Sequence, residues 1–158
     1  MHRIRKSVEI KAPVNRVYEM LTTPQNLPGI WPSMVEVSNV ERKADGWQKF
    51  DWVYKMAGIH FKGHAETIRA DANKYVEIRN SSGIPSTFRW TYEARGGGTM
   101  VTCEVEYDMP ASVLGKLAEA VVTKLNEREM TTMLENAKTA IEQAPQATLN
   151  GPGAAAQR

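Results

Sequence analysis

From Lys116 to Ala144 the chain contains neither glycine nor proline. With Ser112 as a fair N-cap and Pro145 as a stop, this stretch predicts one helix of about 30 residues, longer than most helices of globular proteins. Its apolar residues fall in two rows with a four-residue step. One row is Leu114, Ala118, Val122, Met130 and Leu134; the other is Leu117, Val121, Leu125, Met133, Ala137 and Ile141. A step of four advances ~400° around an α-helix, so each row turns by ~40° per step. The apolar stripe therefore winds around the helix. A flat sheet would leave part of such a stripe in water, whereas a twisted, curved sheet can follow it. Asn126 and Glu129 interrupt the two rows at one level. Two readings stand side by side: a solvent-facing patch where the stripe crosses the sheet's edge, or a border that fixes the polar end of something bound.

The rest of the chain supplies such a sheet. His2, Ile4, Lys6, Val8 and Ile10 share one face of a first strand by the two-residue period. Ala12-Pro13 stops it, and Val14, Val17 and Leu21 repeat at helical spacing over about residues 13–21. A brief second helix starts at Thr23-Pro24 and is expected to end at Pro28-Gly29. From Met34 to Tyr107, runs rich in Val, Thr, Ile, Tyr, Phe and Trp are punctuated by Ala44-Asp45-Gly46, Ala57-Gly58, Asp71-Ala72-Asn73, Ser81-Ser82-Gly83 and Gly96-Gly97-Gly98. Short turns imply hairpins, hence a meander of about six antiparallel strands, or about seven with the first. Phe88, Trp90 and Tyr92 share one face and Arg89, Thr91 and Glu93 the other. Val101, Cys103, Val105 and Tyr107 likewise oppose Thr102, Glu104 and Glu106. The fold class is α+β: a curved seven-stranded antiparallel sheet gripping a long C-terminal helix, with two short helices after the first strand. One domain is expected over residues 1–144, followed by a disordered tail over 145–158 in which small residues, Gly and Pro dominate.

Composition excludes several classes. Apolar residues make up 42% and charged residues 24% of 158, values of a globular domain. A net charge of +2, with Lys and Arg scattered among Asp and Glu, argues against a nucleic-acid partner. Cys103 is the single cysteine, so no internal disulfide forms, and it reads as a small core residue. No apolar run reaches the ~18 residues needed to span a bilayer, and no apolar segment follows the basic N-terminus. A cytoplasmic protein without stable membrane insertion is the expectation. Monomer and homodimer both stay open.

The order of elements and several local patterns resemble the START-like superfamily (SRPBCC), which also holds the birch-pollen-allergen proteins and the polyketide cyclase/dehydrase group. Val8-Glu9-Ile10-Lys11-Ala12-Pro13-Val14-Asn15-Arg16-Val17-Tyr18 looks like its opening strand and first helix. Thr23-Pro24-Gln25-Asn26-Leu27-Pro28 with Trp31-Pro32 looks like its second helix and the entry to strand two. Gly96-Gly97-Gly98-Thr99 looks like its last hairpin, and Leu114 through Lys138 its closing helix. The resemblance covers roughly residues 2–143. It implies the helix-grip fold, with a cavity between sheet and helix. Members bind lipids, quinones, hormones or polyketides there, and a minority catalyse cyclisation or dehydration.

On that footing Trp31, Trp52, Met56, Phe61, Trp90, Tyr92 and Tyr107 are candidates to line the cavity, together with Leu117, Val121 and Leu125 of the helix. His60 and His64 are candidate polar handles. In a strand they stand ~13 Å apart, too far to share one metal ion held ~2 Å from each nitrogen, so neither a metal nor another cofactor is expected. Candidate acid–base groups are Asp51, His60, His64, Glu66 and Arg79. Alternation places Arg89 and Glu104 on the wet face, and no residue is assigned a catalytic role. The leading function is binding or transport of a small hydrophobic molecule. The alternatives are a polyketide cyclase or dehydratase using the same cavity, and a protein-interaction module.

Overall fold

A computed structural model describes residues 1–144, and the tail expected over 145–158 lies outside the described residues. Seven strands form one antiparallel sheet: β1 (His2–Ile10), β2 (Met34–Arg42), β3 (Gln48–Met56), β4 (Ile59–Asp71), β5 (Tyr75–Asn80), β6 (Ser86–Arg95) and β7 (Gly98–Tyr107). Their order is β1-β7-β6-β5-β4-β3-β2, so the meander is continuous and β1 closes on its last strand. Two hairpins are tight for a local reason. Ala57 and Gly58 have φ of 52° and 81°, and Gly96 and Gly97 have φ of 53° and 87°. Positive φ at both central residues matches the right-handed twist of the strands they join.

Helix α1 (Val14–Leu21) buries Val17, Tyr18 and Leu21. Pro13 sits one position earlier than the sequence predicts, at the N-cap, and its carbonyl accepts from Arg16 and Val17 N–H at 3.1 Å each. A single 3₁₀ turn (Pro24–Asn26) leads into α2 (Leu27–Ile30). Pro28-Gly29 therefore lies inside α2 and does not end it. Pro28 falls in the first turn, where its missing N–H is not needed.

The predicted single long helix is two pieces. Helix α3 (Ala111–Leu114) is one turn, and α4 (Glu119–Gln143) carries 25 residues. Between them Ala118 takes an extended conformation with φ −63° and ψ 142°. Val122, Met130, Met133, Leu134, Ala137 and Ile141 are buried on α4, each large side chain contributing roughly 2 kcal/mol by leaving water. The C-terminal end of α4 is fastened to the N-terminal part of the chain. The Arg16 guanidinium donates to the carbonyls of Ile141 and Ala144, where a cation complements the free carbonyls of a helix end. Lys138 Nζ donates to Glu9 O at 2.9 Å, and the Glu142 carboxylate accepts from Lys11 N–H at 2.7 Å. This is the helix-grip fold: one concave sheet face against one helix. No helix among the described residues is long and apolar enough to cross a membrane.

The winding of the two rows accounts for what the sheet covers. From Val121 to Met133 the second row turns by ~120°. It passes from outside the grip, where Leu117, Val121 and Leu125 are 38%, 48% and 43% exposed, to inside it, where Met133 is fully buried. In the first row Leu114 is exposed and Val122 is buried. Cys103 is fully buried on the concave side of β7, and burial pushes its thiol far up. It is a core residue, as its sequence context implies.

Candidate functional site

A cavity of about 100 Å³ lies between the concave sheet face and the helices. Strand β3 supplies one wall by simple alternation: Gln48, Phe50, Trp52, Tyr54 and Met56 all point inward. Ala65, Ile78, Asn80, Phe88, Trp90, Val105 and Tyr107 continue the wall across the sheet. Leu21, Leu27 and Trp31 close it from the helical layer, and Asn126 and Met130 from α4. Trp31 meets Tyr54 and Phe88 edge-to-face, each at 5.6 Å between ring centres, and so bridges from β3 to β6 across the concave face. Helix α4 holds the segment that carries it. Asn136 Nδ2 donates to Ile30 O at 3.0 Å, and Ser33 N–H donates to the Glu129 carboxylate at 2.7 Å.

The polar break in the helix rows thus has two different meanings. Asn126 faces the cavity and donates to Tyr107 Oη at 2.9 Å. Glu129 clamps the loop beside Trp31. The reading of both as a solvent-facing patch does not hold.

Of the residues singled out from sequence, the cavity brings together Trp31, Trp52, Met56, Trp90 and Tyr107. It does not include His60, Phe61, His64, Tyr92, Leu117, Val121 or Leu125. On β4 Ala65 faces inward, so the period of two turns His60 and His64 outward, while Phe61 keeps the inward parity but lies beyond the cavity. His60 is exposed on the convex side, and His64 pairs there with Asp51 at 2.7 Å. Asp51 also accepts from Asn39 Nδ2 at 2.7 Å, and the His64 and Asn39 donors hold its carboxyl below the usual range. Phe61 packs half-buried against the core outside the cavity, and Tyr92 lies beneath α1, edge-to-face with Tyr18 at 4.9 Å. The three helix residues fall on the arc of α4 and its approach that the sheet does not reach. Glu66 and Arg79 are exposed and stand opposite each other on β4 and β5, away from the cavity.

Sequence reasoning missed Gln48, Phe50, Tyr54, Asn80 and Phe88. Parity with Trp52 marks Gln48, Phe50 and Tyr54 as inward, and parity with Trp90 marks Phe88. The same parity sends Asp51 outward.

The chemistry of the wall is uniform. It contains no Asp, Glu, His, Lys or Arg. Trp52 Nε1 donates to Asn80 Oδ1 at 2.8 Å, Asn80 Nδ2 to Ser86 Oγ at 3.0 Å, and Ser86 Oγ to Ile84 O at 3.0 Å. Burial pushes the Tyr54 phenol well up against the pull of the nearby Trp31 and Ser33 polar groups. Burial also raises the Tyr107 phenol against the pull of Asn126. Both hydroxyls are therefore protonated at neutral pH and serve as hydrogen-bonding groups, not bases. One polar group of the wall stays unpaired. The Trp31 indole N–H is buried with no acceptor in hydrogen-bonding geometry. Gln48 bonds through its backbone N–H to Thr67 Oγ1 at 2.9 Å. A dry apolar cavity of ~150 Å³ holds one benzene, so this cavity as it stands has the scale of a single small ring. It is smaller than the ~300–1,000 Å³ of most drug-sized sites.

The fold and this apolar cavity together define a helix-grip protein with a cavity between its sheet and its helices. The chain belongs to the polyketide cyclase / dehydrase and lipid transport family, whose model matches residues 1–142. Among solved structures it is similar to a START superfamily protein from Mycobacterium smegmatis, at 15% identity and a TM-score of 0.72, covering 90% of this chain and 99% of that one. A protein from Thermus thermophilus aligns at 21% identity and a TM-score of 0.68, over 89% and 97% of the two chains. The Zhui aromatase/cyclase from a Streptomyces species aligns at 16% identity and a TM-score of 0.69, over 90% and 94%. At these identities the likeness concerns the fold. No curated protein matches the chain in sequence.

Proposed function

We propose that this protein binds and carries a small uncharged hydrophobic molecule between its sheet and α4. The observation that carries this reading is a buried cavity wall with tryptophan, phenylalanine, tyrosine and methionine side chains and no ionisable carboxylate, imidazole, ammonium or guanidinium group. An ion placed there would lose its hydration with no opposite charge to offset the loss. The family description and the aromatase/cyclase neighbour favour a second reading, catalysis of a cyclisation in the same space. That reading has less to work with. Asp51, His60 and His64 lie on the convex face, and Tyr54 and Tyr107 are the titratable groups at hand.

The test is a melting-temperature panel of neutral one- and two-ring aromatics beside their carboxylate analogues. A ligand at 100 times its Kd stabilises a fold by ~2.7 kcal/mol, which is several degrees for a domain of this size. The expected result is a rise with neutral compounds and none with carboxylates. A melting temperature that ignores every neutral member would overturn the proposal.

A further inference from the structure

Trp31 and Trp52 both line the cavity, but the fold provides for their indole N–H groups differently. Trp52 Nε1 donates to Asn80 Oδ1 at 2.8 Å. Trp31 is 7% exposed, and its Nε1 is buried with no hydrogen-bond partner among the described residues. A buried donor left unpaired is destabilising. Phenylalanine at position 31 would keep edge-to-face contact with Tyr54 and Phe88 and carry no such donor. Packing alone therefore does not account for an indole here. The carboxamides of Asn80 and Asn126 in the same wall are already engaged, with Trp52 and Ser86 and with Tyr107. The surroundings of Trp31 also carry a charge. Ser33, two residues on, donates its N–H to the Glu129 carboxylate at 2.7 Å. Burial first, and this carboxylate next, push the Tyr54 phenol up, so the field of Glu129 reaches the wall that Tyr54 shares with Trp31.

Resting on the reading of the cavity as a ligand site, we infer that the Trp31 indole N–H is the donor that recognises the ligand. The ligand class it selects is a neutral ring compound bearing a carbonyl oxygen. An indole N–H donates and does not accept, so its partner must supply a lone pair. A carbonyl oxygen does so without a proton of its own to place in an apolar wall. A carboxylate would also accept the bond, but the wall holds no cation, and Glu129 beside Trp31 opposes a second negative charge. A pure hydrocarbon would fill the space and leave the N–H unpaired. The cavity volume of about 100 Å³ limits the compound to one small ring.

The test uses cyclohexanone, methylenecyclohexane as its shape-matched hydrocarbon, and cyclohexanecarboxylate, titrated by NMR into the whole chain and into Trp31→Phe. None of the three has an aromatic ring, so none moves resonances by a ring current of its own. In the parent, the Trp31 indole proton is assigned through its Overhauser contacts to Tyr54 and Phe88. It should move downfield with cyclohexanone and not with methylenecyclohexane, and this readout does not depend on the variant folding. Phenylalanine is smaller than tryptophan, and the added space changes the binding of both neutral compounds. The informative quantity is therefore the ratio of their Kd values compared between the proteins. The inference expects Trp31→Phe to weaken cyclohexanone relative to methylenecyclohexane by about tenfold, the worth of one buried hydrogen bond. An unchanged ratio, or an indole proton that moves equally with both neutral compounds, overturns the role of Trp31 and leaves the cavity reading intact. Failure of both neutral compounds to bind the parent overturns the two together. Cyclohexanecarboxylate binding as tight as cyclohexanone overturns the neutrality of the class.

Discussion

Replacing Gly63 with alanine is expected to destabilise the protein by about 3 kcal/mol and to abolish ligand uptake. Gly63 stands directly opposite Trp52 in the β3–β4 ladder, and both face the cavity side of the sheet. The Trp52 indole lies flat over the space where a side chain would begin. A methyl group there would stand no more than 2.5 Å from three indole atoms, which no real contact allows. Gly83, with φ +74°, leaves room for the far edge of the same ring. The indole therefore occupies a slot that two glycines keep open, and in it reaches Asn80 Oδ1 at 2.8 Å. With alanine the ring must leave this slot, and the cavity that it already borders is a space able to receive it. That movement breaks the bond to Asn80, leaves a donor and an acceptor buried without partners, and fills the binding volume. Urea unfolding checks the stability, and repetition of the ligand panel checks the binding. A variant of parental stability would show that the indole has another place to go.

Gln48→Glu is expected to be the more severe change at neutral pH and nearly harmless in acid. It places a carboxyl at a site 1% exposed, in a wall without a cation. Burial of this kind raises a carboxyl pKa by ~3 units, against ~4.3 in the unfolded chain. The sign follows from where the proton sits. Between those two values the folded state keeps a proton that the unfolded state has lost, so stability falls as pH rises. The loss begins near pH ~4, grows through pH ~7, and reaches ~4 kcal/mol once the folded carboxyl ionises. The measurement is the urea midpoint of parent and variant at pH 4, 5.5 and 7. Midpoints whose difference does not change with pH would mean that the site is wetter or better charged than the cavity geometry states.

How much of this was legible in the sequence depends on parity and on helix phase. The meander, its turns and the inward face of β6 and β7 follow directly from alternation and glycine placement, and the winding rows give the reason for a curved sheet. Parity also fixes which residues of β3 look inward, yet aromatic character drew in Phe61 and Tyr92, and polar character drew in His60 and His64. A two-residue period decides that Gln48 joins Trp52 and that His64 joins Asp51, but not which inward residues border open space. That depends on how far the sheet and α4 stand apart, a tertiary quantity. The helix break runs from Gly115, the C-cap of α3, to Ala118, so its mark in the sequence is a single glycine that the reading of one continuous helix passed over. The exposed start of the second row was unreadable for another reason. The stripe winds continuously, and only the reach of the sheet determines where along it burial begins.

The central claim is the proposed ligand site between sheet and helix, and methionine methyl groups among the eight of the chain report on it directly. Met34, Met56 and Met130 border the cavity, whereas Met133 is buried elsewhere on α4 and Met1 is exposed at the terminus. Methyl NMR of the protein titrated with benzyl alcohol is predicted to shift the resonances of Met34, Met56 and Met130 while Met1 and Met133 stay in place. Shifts absent from those three methyl groups, with binding confined to the exposed row of Leu117, Val121 and Leu125, would contradict it.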